Sequence, residues 1–378
     1  MLIATVLLGS AVGPEEQGNF SHTKAAIEFA AAFAMFGLPQ ALFFFIKSDR
    51  LSLQTALRWT LASSLVAVLV GIIFSLVQQE INGATQAAVF AVAIALCVAH
   101  GNMRALLLID AHTGWFNAAT ALPQVLLIGG VVAVLWLGVT GNSTWQLLFA
   151  GAYGGSSAFA LWRVKKIRKL TAGSTMHWRE LGRYGIAAWL LASLSTAAIL
   201  LIQHWVESVQ GSASLGRFTM AMTLAQVPLA PIGYAAPLLF RRWMEQSGRR
   251  SSQRWAAALC AALVFVAAAM WLVAPMWPHL GLGAAYLGVT KALAVLMMGA
   301  AAEAASRVLT VNVYANGLPW LAVKAEVVRW LALCSAWLLL PSPGLLSMCA
   351  VWAAGAWAAA AVFVLHSYRF ASVDERAA

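Results

Sequence analysis

Gly13-Pro14-Glu15-Glu16-Gln17-Gly18-Asn19-Phe20 returns as Gly211-Ser212-Ala213-Ser214-Leu215-Gly216-Arg217-Phe218, with both glycines and the phenylalanine in register at an offset of 198. At that offset Pro39 also falls on Pro237. Further along, Arg104 and Gly114 match Arg307 and Gly317 at an offset of 203, and Leu106, Ala119, Ala133, Leu135 and Leu137 fall on identical residues there. Apolar matches are common in such a chain, whereas matched Gly, Pro and Arg are not. The pattern reads as two related halves.

The rest of the sequence says what those halves are made of. Of its 378 residues, 62% are hydrophobic and only 10% charged, where soluble domains carry about 25%. Apolar runs of helix length lie at about 1–12 (short), 25–46, 56–77, 84–110, 118–139 and 144–162. A second set lies at about 184–206, 215–240, 255–275, 283–313, 319–340 and 345–367. A span needs about 20 apolar residues, and unbroken runs without period-two alternation are satisfied in lipid only as helices. The expected fold is an all-α integral membrane protein of about 12 transmembrane helices in two pseudo-symmetric six-helix lobes around a central cavity. Residues 1–162 form the first lobe, 163–183 a basic cytoplasmic linker, and 184–378 the second lobe with a short tail.

The charge pattern sets orientation. Of 24 Lys and Arg, 17 lie in the segments 47–58, 163–183 and 241–254 or in the tail, all on one side of the expected topology. Only Lys24 and Arg217 fall in loops on the other side. By the positive-inside rule both termini are expected to be cytoplasmic. The net charge of +11 is then accounted for by membrane orientation and anionic lipid, and no nucleic-acid partner is expected.

Enzyme chemistry is not indicated. The sequence has no phosphate-binding glycine loop, no His-Glu-x-x-His, no Cys-x-x-Cys and no paired carboxylates in a polar segment, so neither cofactor nor metal is expected. Its four cysteines lie in apolar runs as small hydrophobes.

Gly13–Phe20, followed by Phe36-Gly37-Leu38-Pro39-Gln40-Ala41-Leu42, resembles the opening of bacterial polysaccharide flippases. These are the O-antigen and exopolysaccharide exporters of the multidrug/oligosaccharidyl-lipid/polysaccharide superfamily. Arg183-Tyr184-Gly185, Gly211–Phe218 and Ala235-Ala236-Pro237-Leu238-Leu239-Phe240 open the second half in a similar way. The resemblance implies a V-shaped pair of lobes with a cationic cavity. It also implies translocation of a polyprenyl-diphosphate-linked oligosaccharide across the bacterial inner membrane by alternating access, with membrane lipids, a polysaccharide polymerase and glycosyltransferases as partners. The alternative is a cation-coupled multidrug antiporter of the same superfamily, which would use Glu303 and Glu326. A polysaccharide-modifying membrane enzyme fits less well, because every outward loop is short.

Charges inside spans mark candidate sites, since each costs about 2.5–3.5 kcal/mol to insert at mid-helix. Arg104, Arg307, Arg329 and Lys291 are the expected substrate-binding cations. His100, Glu303 and Glu326 lie one turn before Arg104, Arg307 and Arg329 and are the expected supporting partners. Arg104 and Arg307 also lie near helix ends, where snorkelling is the competing role. Lys24 and Glu28 read as a surface pair opening the second helix. Pro228, Pro231 and Pro237 are expected to break one helix and serve as a hinge.

Overall fold

A computed structural model of the chain describes residues 2–47, 51–77, 83–109, 114–167, 178–245, 249–316, 318–340 and 344–377. The described residues are helical throughout, with no strand among them. The first seven helices are α1 (Leu2–Val12), α2 (Pro14–Ala34), α3 (Leu38–Lys47), α4 (Leu53–Val77), α5 (Ala84–Leu107), α6 (Gly114–Leu137) and α7 (Asn142–Val164). They are followed by α8 (Trp178–Gln210), α9 (Ser212–Gln226), α10 (Ala230–Glu245), α11 (Arg249–Val273), α12 (Val289–Ala315), α13 (Pro319–Leu339) and α14 (Leu345–Ala377). Seven of these are long and apolar enough to cross a membrane: α4, α5, α6, α8, α11, α12 and α14. Large side chains such as Leu65, Leu76, Trp136, Phe265, Leu272 and Leu365 stand exposed along them. In a soluble protein that surface would drive aggregation, and in lipid it is the natural exterior. The protein is a multi-pass membrane protein.

The chain forms two compact units. The first comprises Ile3–Ala11 and Asn19–Leu200, the second Val12–Gly18 and Leu201–Ala378. In the first, α5 is the hub and packs on α3, α4, α6 and α7. In the second, α12 is the hub and packs on α9, α10, α11, α13 and α14. The pairs α3–α5, α4–α5, α5–α7 and α6–α7 have the counterparts α10–α12, α11–α12, α12–α14 and α13–α14. The duplication read from Gly, Pro and Arg is therefore also a duplication of packing.

Small residues make the hubs possible. With no hydrophobic force between helices in lipid, close backbone approach supplies the attraction. A Cβ on Gly71 of α4 would stand 2.6 Å from the Ala91 Cα of α5. In the second unit, a Cβ on Gly299 of α12 would stand 3.0 Å from the Ala353 Cα of α14.

The repeated motif has a distinct structural role at each position. Gly13 and Gly211 take positive φ, 88° and 81°, and start α2 and α9. Phe20 and Phe218 are fully buried. Gly18 and Gly216 belong to the second unit, where a Cβ on Gly18 would stand 2.6 Å from the Ser212 carbonyl oxygen. A Cβ on Gly216 would overlap the Pro14 carbonyl outright.

Three expected boundaries change. The run expected over 25–46 is two helices, and it starts at Pro14, where proline fits the first helical turn. It breaks because Phe36 and Gly37 adopt φ of 48° and 68°. The backbone of Gly185, on α8, fills the space a side chain on Gly37 would need. Trp189, one turn further along α8, donates its indole N–H to the Phe33 carbonyl at 2.8 Å, serving an acceptor left free at the end of α2. We expect Trp189→Phe, which keeps the ring but loses this bond, to lower stability by about 1 kcal/mol. Thermal unfolding of the purified protein in detergent should show a midpoint about 2–4 °C lower.

The run expected over 215–240 is likewise broken, into α9, the short 3-10 turn Val227–Leu229 and α10. Pro228 lies in that turn. Pro231 sits in the first turn of α10, where a missing N–H costs nothing, and Pro237 lies within the continuous α10, so there is one break and not three. The run expected from 283 becomes a helix only at Val289, because Gly283 and Gly288 have φ of 92° and 86° and hold the chain in turns.

Candidate functional site

The second unit holds a buried charge cluster on α12 and α13. Arg329 is 4% exposed and Glu326 6%. Arg329 Nη1 approaches Glu326 Oε1 at 3.6 Å, an ion pair too long for a hydrogen bond. Trp352 of α14 covers one face of the guanidinium, 4.1 Å from its ring centroid. Gly355, one turn on, makes room for the Arg329 stem, since a Cβ there would stand 3.4 Å from Arg329 Cγ. Arg329 Nε and Nη2 are buried and donate to nothing among the described residues. Those two atoms form the side edge of the guanidinium fork, the edge that matches two oxygens of a carboxylate or phosphate. On α12, Arg307 Nη2 donates to Glu303 Oε1 at 2.7 Å, with the Arg307 side chain 43% exposed and that of Glu303 11%. Glu303 is also an electrostatic neighbour of Arg329 and Glu326. Two arginines and two glutamates thus share one region, with no net charge.

The first unit holds a second cluster. Lys24 Nζ donates to Glu28 Oε2 at 2.8 Å. Because α2 starts at Pro14, this pair lies mid-helix and half-buried, not at a helix start on the surface. Its surroundings include Cys97 of α5 and Tyr153 of α7, and Arg104 is a further charged neighbour. The buried His100 ring lies 5.8 Å from that of Tyr153. Asn102 donates to Ser63 at 2.8 Å, tying α5 to α4.

The structure separates the expected cations by environment. Arg104 lies in the last turn of α5, partly exposed, with its guanidinium 5.6 Å from the Phe116 ring centroid. Lys291 is the third residue of α12 and exposed. Arg329 alone of the four is fully buried. Asp110 and most of the basic segment after Ile167 lie outside the described residues. Trp352, Tyr153 and Cys97 were not singled out from sequence. Tryptophans and apolar cysteines are too common here, and only tertiary packing selects these.

No protein-family profile matches the chain, and no curated protein matches its sequence. Solved structures do match its fold. An inward-facing multidrug resistance MATE family transporter of the MOP superfamily is 15% identical with a TM-score of 0.73, the match covering 100% of this chain and 95% of that one. The lipid II flippase MurJ, in an inward closed conformation, is 12% identical with a TM-score of 0.70, over 97% of this chain and 84% of that one. A MOP superfamily transporter from Pyrococcus furiosus, whose binding pocket of reverse polarity is said to suggest a different function, is 15% identical with a TM-score of 0.68 over 98% and 91%. The chain has the all-helical fold of MOP-superfamily transporters.

Proposed function

We propose that the protein is a flippase that carries a polyprenyl-diphosphate-linked oligosaccharide across a bacterial inner membrane, both termini being cytoplasmic. The observation that carries this reading is Arg329. A buried guanidinium with an open side edge, on a helix packed against the spanning α14 and against a tryptophan face, is built to receive an oxyanion and to stack on a sugar or its neighbours. A diphosphate head cannot enter about 30 Å of hydrocarbon without such replacement for water. The fold shared with a lipid II flippase supports a lipid-linked cargo. MATE family transporters with this fold solved in inward-facing and in outward-facing conformations support alternating access.

In this proposal Glu326 is the resident counter-ion, which the phosphate displaces from Arg329. Arg307 and Lys291 serve as weaker, exposed cations in the second unit, and Arg104 is a further candidate cation within the first. The break around Pro228 serves as the hinge. The division into lobes at 1–162 and 184–378, with 163–183 as linker, belongs to the same reading. An inside-negative potential favours outward movement of the anion by about 2.3 kcal/mol per charge per 100 mV.

The antiporter reading requires acids free to take protons or cationic drugs. Each mid-helix acid described here, Glu28, Glu303 and Glu326, instead has Lys or Arg one turn away. The test is reconstitution in proteoliposomes. A fluorescent polyprenyl-diphosphate oligosaccharide should cross in a protein-dependent way, and a cationic dye should not. Dye transport without lipid transport refutes the flippase. Arg104→Gln should cost less than about tenfold in rate, as expected of a residue stacked at a helix end rather than buried beneath the cargo.

A further inference from the structure

The break between α2 and α3 borders a cavity of about 400 Å³ within the first unit. Met35 and Phe36 line it at the break, Trp59, Ala62 and Val66 on α4, and Trp189 on α8. A bulky residue rarely adopts a φ of 48°, and Phe36 holds it while stacking on Trp189, with centroids 5.6 Å apart and planes 27° from parallel. Ser63 and Trp189 bring polar atoms to the cavity wall, and both are engaged. Ser63 donates to the Thr60 carbonyl at 2.9 Å and accepts from Asn102 at 2.8 Å. The Trp189 N–H is taken by the Phe33 carbonyl. A sugar or a peptide would leave its own polar groups unmatched there, whereas a hydrocarbon chain has none to lose.

Size, depth and charge identify the guest. At about 30 Å³ for a water-sized group, the cavity holds roughly a dozen methylenes, a large part of one acyl chain. Its mouth is apolar. Phe36, Val66 and Ile186 there are 40–51% exposed, a surface that belongs to hydrocarbon and not to water. The α4 wall begins at Trp59, six residues past Leu53 and so about 9 Å along the axis at about 1.5 Å per residue. That is the depth of chains lying under headgroups. The helix itself begins just after Lys47 and Arg50, in one of the basic segments. Arg58 is exposed and lies one turn before Ala62 on the same face of α4. It has no acidic partner among the described residues. Its long side chain can reach headgroup level while its stem stays on apolar surface. We propose that the cavity takes one acyl chain of an anionic phospholipid, whose phosphate is held by Arg58. A chain there fills the space that the break opens and packs against the stacked rings that border it. The site lies within the first unit, is separate from the Arg329 cluster and stands whatever the cargo.

The test uses the full chain, purified in detergent and stripped of lipid. The probe is a phosphatidylglycerol carrying a photoreactive diazirine midway along one acyl chain. After illumination and digestion, mass spectrometry should place the label in residues 35–41, 59–66 and 186–189. Ala62→Trp, which fills the cavity from an exposed position, should lower labelling of 35–41 and 186–189 by about tenfold. Unlabelled phosphatidylglycerol should compete about fivefold better than phosphatidylcholine at low salt, and high salt should remove the difference. In Arg58→Gln, an exposed change that leaves folding intact, the two lipids should compete about equally. Labelling confined to other segments, or equal competition by the two lipids in the unmodified protein, overturns the proposal without recourse to any variant. Full labelling of folded Ala62→Trp, or a preference unchanged in Arg58→Gln, overturns it as well. A polyprenyl phosphate that displaces the probe better than phosphatidylglycerol does would assign the cavity to the tail of the cargo and so overturn the phospholipid.

Discussion

Arg329→Ala is expected to abolish translocation, with a fall of about 100-fold or more. The residue offers two charge-assisted donors on its open edge, together worth about 3 kcal/mol to a bound phosphate. A tenfold change corresponds to about 1.4 kcal/mol. Arg329→Lys separates charge from shape. Lysine keeps the cation but has no planar fork and stacks less well on Trp352, so a loss of about tenfold is expected. Folding needs its own control, because Arg329→Ala leaves Glu326 buried without its partner, which typically costs about 3–5 kcal/mol. The pair Arg329→Met, Glu326→Leu removes both charges, should restore the folded yield, and should still fail to transport. Polymer export in cells, scored at matched protein level, is the readout. Normal export by Arg329→Ala would remove the residue from the mechanism.

The second large effect concerns assembly, not transport. Gly216→Leu is expected to eliminate the folded protein, because the new side chain starts inside the space of the Pro14 carbonyl. Even Gly216→Ala should cost about 3 kcal/mol or more, since the obstacle is backbone and cannot rotate away. Gly18→Ala meets the Ser212 carbonyl at 2.6 Å and should follow the same trend more mildly. Gly233 is the control, since a Cβ there has nothing within 4 Å. Gly233→Ala should be neutral or slightly stabilising, as alanine favours helix. Size-exclusion profiles of fluorescent fusions after solubilisation report the ranking. A monodisperse, heat-stable Gly216→Leu protein would contradict the close crossing.

These two sites differ in how visible they are before folding. Arg329 is legible from sequence because a charge ten residues into an apolar run has few inexpensive places to go. The Gly18/Gly216 crossing is only half legible. The repeat flags the glycines, but which backbone each admits depends on tertiary packing. Helix number and spacing are written in the apolar runs, and local geometry within them is not. The break at Phe36–Gly37 is hidden because its residues are apolar, and the early start of α2 because Glu15, Glu16 and Lys24 resemble a loop. Lys291 is placed too deep by hydropathy, which does not register the turns at Gly283 and Gly288. Trp352 beneath Arg329 is one of 17 tryptophans, and nothing short of the α13–α14 packing singles it out.

The hub position of α12 also bears on how the chain is made. It is the least apolar of the seven long spans, carries Lys291, Glu303 and Arg307, and has 67% of its most apolar window inside protein. Its predecessor α11 is the most apolar of the seven and only 17% buried there. As the ribosome delivers them, α11 can partition into lipid at once. The next span emerges before α13 and α14, two of the helices that cover it, have been synthesised. Its stable entry into the bilayer therefore depends on segments not yet translated, and a nascent chain stalled before residue 345 should be a preferred substrate for membrane quality-control proteases.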